Sequence, residues 1–173
     1  MKKFTQFMKM WCFFYVAATF FIISAFLIVD PLEEDSLFLE NKLLAHYDED
    51  FSFKQIKRYE LSVTNSGFCR YKRYFQNGKI EYYAFNFLRY KDSDFFGTTS
   101  RGLLYLRTAE DDVIVQTYKD PAGDVDSMAS QLIIPLKQVE AEDLNSLAAR
   151  FRSMREALRK QQTRLFLRDG KPQ

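Results

Sequence analysis

The sequence predicts an α+β protein with an N-terminal single transmembrane helix, an antiparallel β-meander of about six strands and a closing C-terminal amphipathic helix. Three observations indicate this. An uncharged apolar run covers residues 11–29, alternation of apolar and polar residues begins at Phe51, and apolar residues recur every three or four positions after Glu140. Of the 173 residues 47% are hydrophobic and 28% are charged, which is typical of folded chains and not of disordered ones.

The run from Trp11 to Val29 is the strongest signal in the chain. It has no charge, Pro or Gly in 19 residues, and as a helix it would measure about 28 Å, close to the hydrocarbon thickness of a bilayer. Trp11 stands at its first position, where aromatic rings favour the membrane interface. Because the apolar run continues past the small residues at 24 and 25, we expect an uncleaved signal anchor instead of a secretory signal peptide.

The charged residues on either side of this span predict its orientation. Lys2, Lys3 and Lys9 precede it without an acidic residue, and acidic residues follow it at 30 and 33–35. The positive-inside rule therefore places residues 1–10 in the cytoplasm and the chain after the span on the other side of the membrane. In a bacterium this describes a single-pass inner-membrane protein with a periplasmic domain.

Charge and composition exclude several classes of protein. Three of the 25 basic residues precede the span, which leaves 22 basic residues against all 23 acidic residues in 30–173. This near-neutral balance is not that of a nucleic-acid-binding domain. One His and two Cys exclude a zinc finger, a multi-His metal centre and a disulfide scaffold. We therefore expect no cofactor, no metal and no nucleic acid as partner.

Residues 30–50 predict a helix directly after the span. Asp30, Pro31 and Glu33 match the pattern of an N-cap, a first helical residue and the closing residue of a capping box. The helix would extend to about Tyr47 and end in the acidic loop 48–50. We interpret it as a juxtamembrane stalk, and the alternative is a packing surface for a partner.

Residues 51–168 form the predicted domain, and the sequence Asn77-Gly78 is its clearest turn. Between two aromatic-rich runs it predicts a hairpin with a two-residue type I′ turn, which fixes the cross-strand register. A second hairpin is predicted from 103–108 and 113–118, after a polar loop at 96–102, and 132–136 is the last strand. The register predicts four pairs: Phe75–Ile80, Arg73–Tyr82, Lys72–Tyr83 and Arg70–Phe85.

The last predicted element is a helix with acidic residues in its first turn and basic residues in its later turns, as the helix dipole favours. We expect its first half to pack on the sheet and the part beyond Leu158, which is poorer in apolar residues, to project. The apolar spacing would also allow self-association into a homo-oligomer through this helix, and 169–173 is a predicted flexible tail. The apolar seam consists of Leu144, Leu147, Phe151, Met154, Leu158 and Leu165.

Two groups of residues are candidate contacts for a partner or ligand. In the predicted hairpin Arg73 lies across from Tyr82, Lys72 from Tyr83 and Arg70 from Phe85, which pairs cations with aromatic rings, and the candidate contacts are Arg70, Lys72, Arg73, Tyr82 and Tyr83. In the last helix, eight basic residues and two acidic residues lie between 150 and 171. From this helix the candidate contacts are Arg152, Arg155 and Arg159.

The sequence contains no recognisable catalytic set. His46 is the only His and lies in the predicted stalk, Cys69 is the only Cys outside the span, and no Gly-x-Ser-x-Gly or Gly-rich phosphate loop is present. The sequence therefore predicts a non-enzymatic, membrane-anchored protein. We expect its exported domain to bind other membrane or envelope proteins as an accessory or assembly subunit of an envelope complex. The alternative is a binding module for an anionic lipid or another envelope ligand.

Overall fold

A computed structural model describes residues 30–51 and 56–169, without the side chains of 168 and 169. The predicted cytoplasmic segment 1–10 and the predicted anchor 11–29 lie outside the described residues. Of the predicted tail 169–173, Asp169 is the last residue of the C-terminal helix and 170–173 lie outside the described residues. Among the helices of the described part, none is both long and apolar enough to cross a membrane.

Two helices and eight strands make up the described part of the chain. The fold is α+β with antiparallel strands and a C-terminal helix, as predicted, but with eight strands instead of six. The bounds are α1 Pro31–His46, β1 Ile56–Val63, β2 Phe68–Phe75, β3 Ile80–Asn86, a 3-10 turn Phe87–Arg89, β4 Tyr90–Gly97, β5 Arg101–Thr108, β6 Val113–Tyr118, β7 Asp126–Ala129, β8 Gln131–Lys137 and α2 Ala141–Asp169.

The strands form two antiparallel sheets instead of one meander. The large sheet has the order β1-β2-β3-β6-β7 and the small sheet the order β4-β5-β8. The predicted hairpin of 103–108 with 113–118 is wrong, because β5 pairs with β4 and β8 while β6 pairs with β3 and β7. The chain changes sheet near Arg89, Ala109 and Ser130. Backbone hydrogen bonds join these crossings, from Ala109 N–H to the Arg89 carbonyl and from Thr108 N–H to the Ser130 carbonyl, both at 2.9 Å.

One hydrophobic core joins the inner faces of both sheets to both helices. At its centre the ring of Phe87 lies 5.0 Å from that of Phe85 and stacks on Phe151 of α2 at 5.5 Å. Leu39 and Leu43 of α1 are fully buried in the same core. The helix predicted as a stalk is therefore an integral layer of the folded domain.

Helices α1 and α2 are antiparallel and joined by ion pairs. Arg150 of α2 lies 2.6 Å from the carboxylate of Asp35, near the start of α1. Asp143, at the start of α2, lies 2.5 Å from the ammonium group of Lys42, near the end of α1. The start of α1 therefore lies beside the middle of α2, and the rest of α2 extends past it.

The β2–β3 hairpin differs from its prediction by one residue of register. Gly78 has φ of 87° and Asn77 has no positive φ, while the Gly78 N–H donates to the Phe75 carbonyl at 3.0 Å. This is a type I turn followed by a glycine in the left-handed region, which makes a three-residue loop. All four predicted pairs are wrong because of this extra residue. The observed pairs include Tyr74–Ile80, Arg73–Glu81, Lys72–Tyr82, Tyr71–Tyr83 and Arg70–Ala84.

Candidate functional site

The five candidate residues of the hairpin do not form one surface. Side chains alternate between the two faces of a strand, and the observed register puts Lys72 directly beside Tyr82 on the outer face of the large sheet, together with the exposed Arg70. Arg73 and Tyr83 lie on the inner face. The predicted basic and aromatic patch is therefore split by the sheet.

On the inner face Arg73 belongs to a buried polar cluster, which we call the arginine–tyrosine cluster and which comprises Tyr47, Tyr71, Arg73, Glu81 and Tyr83. The Nη2 atom of Arg73 donates to Glu81 Oε2 at 2.5 Å and to the Tyr83 hydroxyl at 3.2 Å. The Tyr47 and Tyr71 hydroxyls lie 2.7 Å apart. The Arg73 guanidinium also lies 5.4 Å from the centre of the Tyr71 ring.

The chemistry of this cluster is that of a structural network. Burial raises the pKa of the Tyr71 and Tyr83 hydroxyls, so both stay protonated at neutral pH. Burial alone would raise the pKa of Glu81, but the charges of Arg73 and Lys79 outweigh it and hold that pKa below its usual range. A charged Glu81 therefore neutralises Arg73. Arg73 and Tyr83 are accordingly structural residues in this arrangement, and Arg70, Lys72 and Tyr82 are the hairpin candidates that face outwards.

The three arginines of α2 also differ in their surroundings. Arg155 is half-buried, and its Nη1 donates to the carbonyl oxygen of Tyr90 at 3.1 Å. This bond fixes α2 to the first residue of β4. Arg152 and Arg159 are exposed. Beyond Leu158, every described side chain of α2 is exposed, as the sequence predicts for a projecting end.

A third surface, which sequence reasoning missed, is the outer face of the small sheet. Cross-strand rows place Phe96 beside Leu103 and Pro135, and Tyr105 beside Ile133. The rings of Phe96 and Tyr105 meet edge to face at 5.1 Å. Phe96 is 56% exposed. We call these five residues the small-sheet face.

Charged residues border the small-sheet face: Asp94 lies directly beside Tyr105 on the same cross-strand row, and Asp92 and Arg107 form the next row. Arg107 donates to Asp92 at 2.6 Å and to Asp94 at 3.2 Å. An exposed apolar patch with a polar rim is typical of a surface that contacts another molecule. A sequence signal was available, since 103–106 and 132–136 are apolar without interruption. Strands with such runs present apolar side chains on both faces of the sheet. The core buries only the inner face, so the apolar side chains of the outer face remain to be covered.

Cys69 and His46, the Cys and His of the described part, both occupy fixed positions in the fold. No three of their His, Cys, Asp or Glu side chains gather into a metal-binding group. The thiol of Cys69 is buried, and burial raises its pKa to about 12, so it is not a thiolate at neutral pH. The Nδ1 atom of His46 lies 3.2 Å from the carbonyl oxygen of Lys137, which fixes the ring between α1 and β8.

A cavity of about 500 Å³ lies beside the β2–β3 turn, lined by residues around 75–79 and 120–122. Its two charged lining residues, Lys79 and Asp120, form an ion pair at 2.6 Å. Lys79 also lies 3.0 Å from Glu81 of the arginine–tyrosine cluster. The charges at this cavity therefore balance one another.

Neither protein-family models nor curated proteins nor solved structures match this chain. Among the exposed apolar residues of the described part we take two surfaces as candidates, the small-sheet face, on which Phe96 and Ile133 are exposed and Pro135 is buried, and the projecting end of α2.

Proposed function

We propose that this chain is a single-pass inner-membrane protein whose periplasmic domain binds another envelope protein, as an accessory or assembly subunit of a membrane complex. The observation that carries the proposal is the small-sheet face. A second protein with an apolar surface of its own is the partner that this face fits.

The composition of the small-sheet face favours a protein partner. Aromatic residues are enriched at the centres of protein interfaces, and Phe96 and Tyr105 form an edge-to-face pair there. The border carries both signs of charge, since Arg107 pairs with Asp92 and Asp94. Mixed charges around an apolar centre suit the polar rim of a protein interface better than they suit a uniformly charged ligand.

The sequence supports the membrane part of the proposal. The 19 uncharged residues from Trp11 to Val29 have the length and composition of a spanning helix. Lys2, Lys3 and Lys9 precede them and favour a cytoplasmic amino terminus. Asp30 alone separates this run from the first residue of α1, so the domain would be held close to the membrane surface.

Site-specific photo-crosslinking tests this proposal in intact cells of the native host. A photoreactive phenylalanine analogue replaces Phe96 in the full chain, and in a control it replaces Tyr118, which is 44% exposed on the large sheet. We expect a discrete adduct with a second envelope protein from position 96 and none from 118. The change Ile133→Asp should abolish the adduct. Because this strand residue is only 37% exposed and Asp is a poor strand former, we expect a stability loss of about 1 kcal/mol, and urea denaturation of the variant verifies that the domain stays folded.

Two results would contradict the proposed function. An adduct of twice the mass of the chain would identify the face as a contact between two copies. Absence of any adduct at 96, in cells where the full chain is present in the membrane fraction, would show that the face has no protein partner.

A further inference from the structure

The projecting end of α2 is the most unusual surface of the described chain. Three consecutive apolar residues, Leu165, Phe166 and Leu167, are 53%, 79% and 72% exposed. Single exposed apolar residues are common, but three large ones in succession need an explanation. They add nothing to the core, which ends on α2 at Leu158.

The helical geometry of these three residues indicates what could cover them. Successive residues of an α-helix point about 100° apart around its axis, so three in succession are spread over about 200°, more than half of its circumference. A flat protein surface or a groove contacts one side of a helix. A fluid lipid phase can surround the end of a helix and contact all three residues at once.

The charges around these residues indicate the kind of lipid. Arg159, Lys160 and Arg164 are exposed, and no acidic residue lies between 159 and 168. The arginines that do pair with carboxylates on this part of the domain lie earlier, as Arg150 does with Asp35. Exposed basic residues next to apolar ones are the pattern of segments that bind anionic membrane surfaces.

The start of α1 and the end of α2 lie towards the same side of the domain, because the two helices are antiparallel. Arg150 lies beside Asp35, one turn after the start of α1, and α2 continues for 19 residues beyond it. At a rise of 1.5 Å per residue, α2 therefore extends about 20 Å past Pro31. Pro31 is also the residue at which the predicted anchor joins the domain, because only Asp30 lies between them.

We propose that the end of α2, residues 159–167, docks on an anionic lipid surface, with the basic residues at the phosphate groups and Leu165, Phe166 and Leu167 in the acyl boundary. This inference rests on the membrane anchor of the proposed function and adds a second contact to it. The domain would then be held at two points, through Pro31 and through the end of α2. Two points fix the orientation of a domain on a membrane, whereas one anchor leaves it free to rotate.

Depth-dependent fluorescence quenching in reconstituted vesicles tests the proposal. Trp11 is the only Trp of the chain, so the full chain with Trp11→Phe and Phe166→Trp reports from the end of α2 alone. The vesicles contain phosphatidylglycerol or only phosphatidylcholine, each with a brominated acyl chain as quencher. In phosphatidylglycerol we expect blue-shifted emission and strong quenching, because interfacial helices bury their apolar residues about 5–10 Å deep.

Control variants test whether the signal comes from the end of α2 and whether it depends on the basic residues there. A chain with Trp11→Phe and Tyr118→Trp carries its reporter on the large sheet, and we expect emission as in water without quenching. Neutralising Arg159, Lys160 and Arg164 to glutamine should abolish the quenching of the F166W chain. The same loss of charge at the exposed residues Lys57, Lys91 and Lys119 should leave it unchanged.

Several outcomes would overturn the proposal. These are an emission from F166W that stays as in water, equal quenching in phosphatidylcholine vesicles, and a blue shift without quenching by brominated lipid, which would place the residue against protein. Flotation of the chain with the vesicles after alkaline carbonate treatment shows separately whether the predicted anchor is inserted in the bilayer. Loss of flotation would refute the anchor, whereas flotation without quenching would refute only the docking of α2.

Discussion

The change Glu81→Gln is expected to destabilise the domain by about 2 to 3 kcal/mol at neutral pH. The Arg73 guanidinium is largely buried on the inner face of the large sheet, and the change removes the carboxylate that neutralises it. Removing one member of a buried ion pair leaves an uncompensated charge, which is destabilising. The value is below that for a fully enclosed pair because part of Arg73 remains exposed. Urea denaturation of the wild type and the variant measures it.

The effect should also depend on pH in a defined direction. The folded domain holds the pKa of Glu81 below its usual value. Such a group stabilises the folded state above the pKa of the unfolded chain, about 4.3, and this stabilisation is lost as pH falls through the lower, folded value. The stability difference between the wild type and E81Q should therefore be largest near neutrality and shrink below about pH 4.

An exposed ion pair provides the matched control. Arg58 and Glu60 lie 2.9 Å apart with more than half of each side chain exposed. We expect Glu60→Gln to cost less than about 0.5 kcal/mol, because solvent screens such pairs. Equal denaturation midpoints for E81Q and E60Q, or a Glu81 effect that grows at acidic pH, would show that the arginine–tyrosine cluster does not stabilise the fold as described.

The second large effect is expected at Phe151, where alanine should cost about 4 kcal/mol. The ring is fully buried and lies 5.5 Å from that of Phe87, and truncating a core phenylalanine costs about 3–5 kcal/mol. The matched variant Phe166→Ala removes the same atoms from the same helix at a position that is 79% exposed. It should change stability by less than about 0.5 kcal/mol.

Thermal and urea denaturation of the two variants distinguish the halves of α2. A large loss of stability for F151A and none for F166A would mean that the first half of α2 stabilises the fold and that its end contributes nothing to folding. A comparable loss at Phe166 would mean that this end packs within the domain, and it would remove the basis for assigning it to lipid.

Local features of the fold were predictable because local chemistry determines them. Asp30 before Pro31 marks the start of α1, and the seam that includes Leu147, Phe151 and Leu158 marks the buried side of α2. In each case the signal and its physical cause lie within a few residues of each other. The exposure of α2 beyond Leu158 could also be predicted, because apolar residues at the seam positions become fewer after that residue.

The pairing of strands was not predictable in the same way. The sequence Asn77-Gly78 is compatible with a two-residue and a three-residue loop, and the difference of one residue moved the partner of Arg73 from Tyr82 to Glu81. Every side chain of one strand changes its cross-strand neighbour when the register shifts. The crossings between sheets depend on contacts distant in sequence, such as Ala109 with Arg89.

The candidate site depended on that same long-range information. Arg73 lies on the opposite face of β2 from Arg70 and Lys72 in any register, because side chains alternate along a strand, whereas the register decides which β3 residue lies beside each of them. The small-sheet face needed knowledge of which strands share a sheet before its alternating apolar residues could be recognised as one surface. The projecting end of α2 was predictable in outline, but its exposure had to be seen in the structure.

Thiol labelling in intact spheroplasts tests most directly whether the domain lies beyond the membrane. Cys69 is fully buried, so the full chain with Cys12→Ser and Gln76→Cys presents one accessible thiol at the exposed β2–β3 turn. A membrane-impermeant maleimide should label Q76C without lysis, and should label a Thr5→Cys control only after the membrane is permeabilised. Labelling of Q76C only after permeabilisation would place the domain in the cytoplasm and contradict the account.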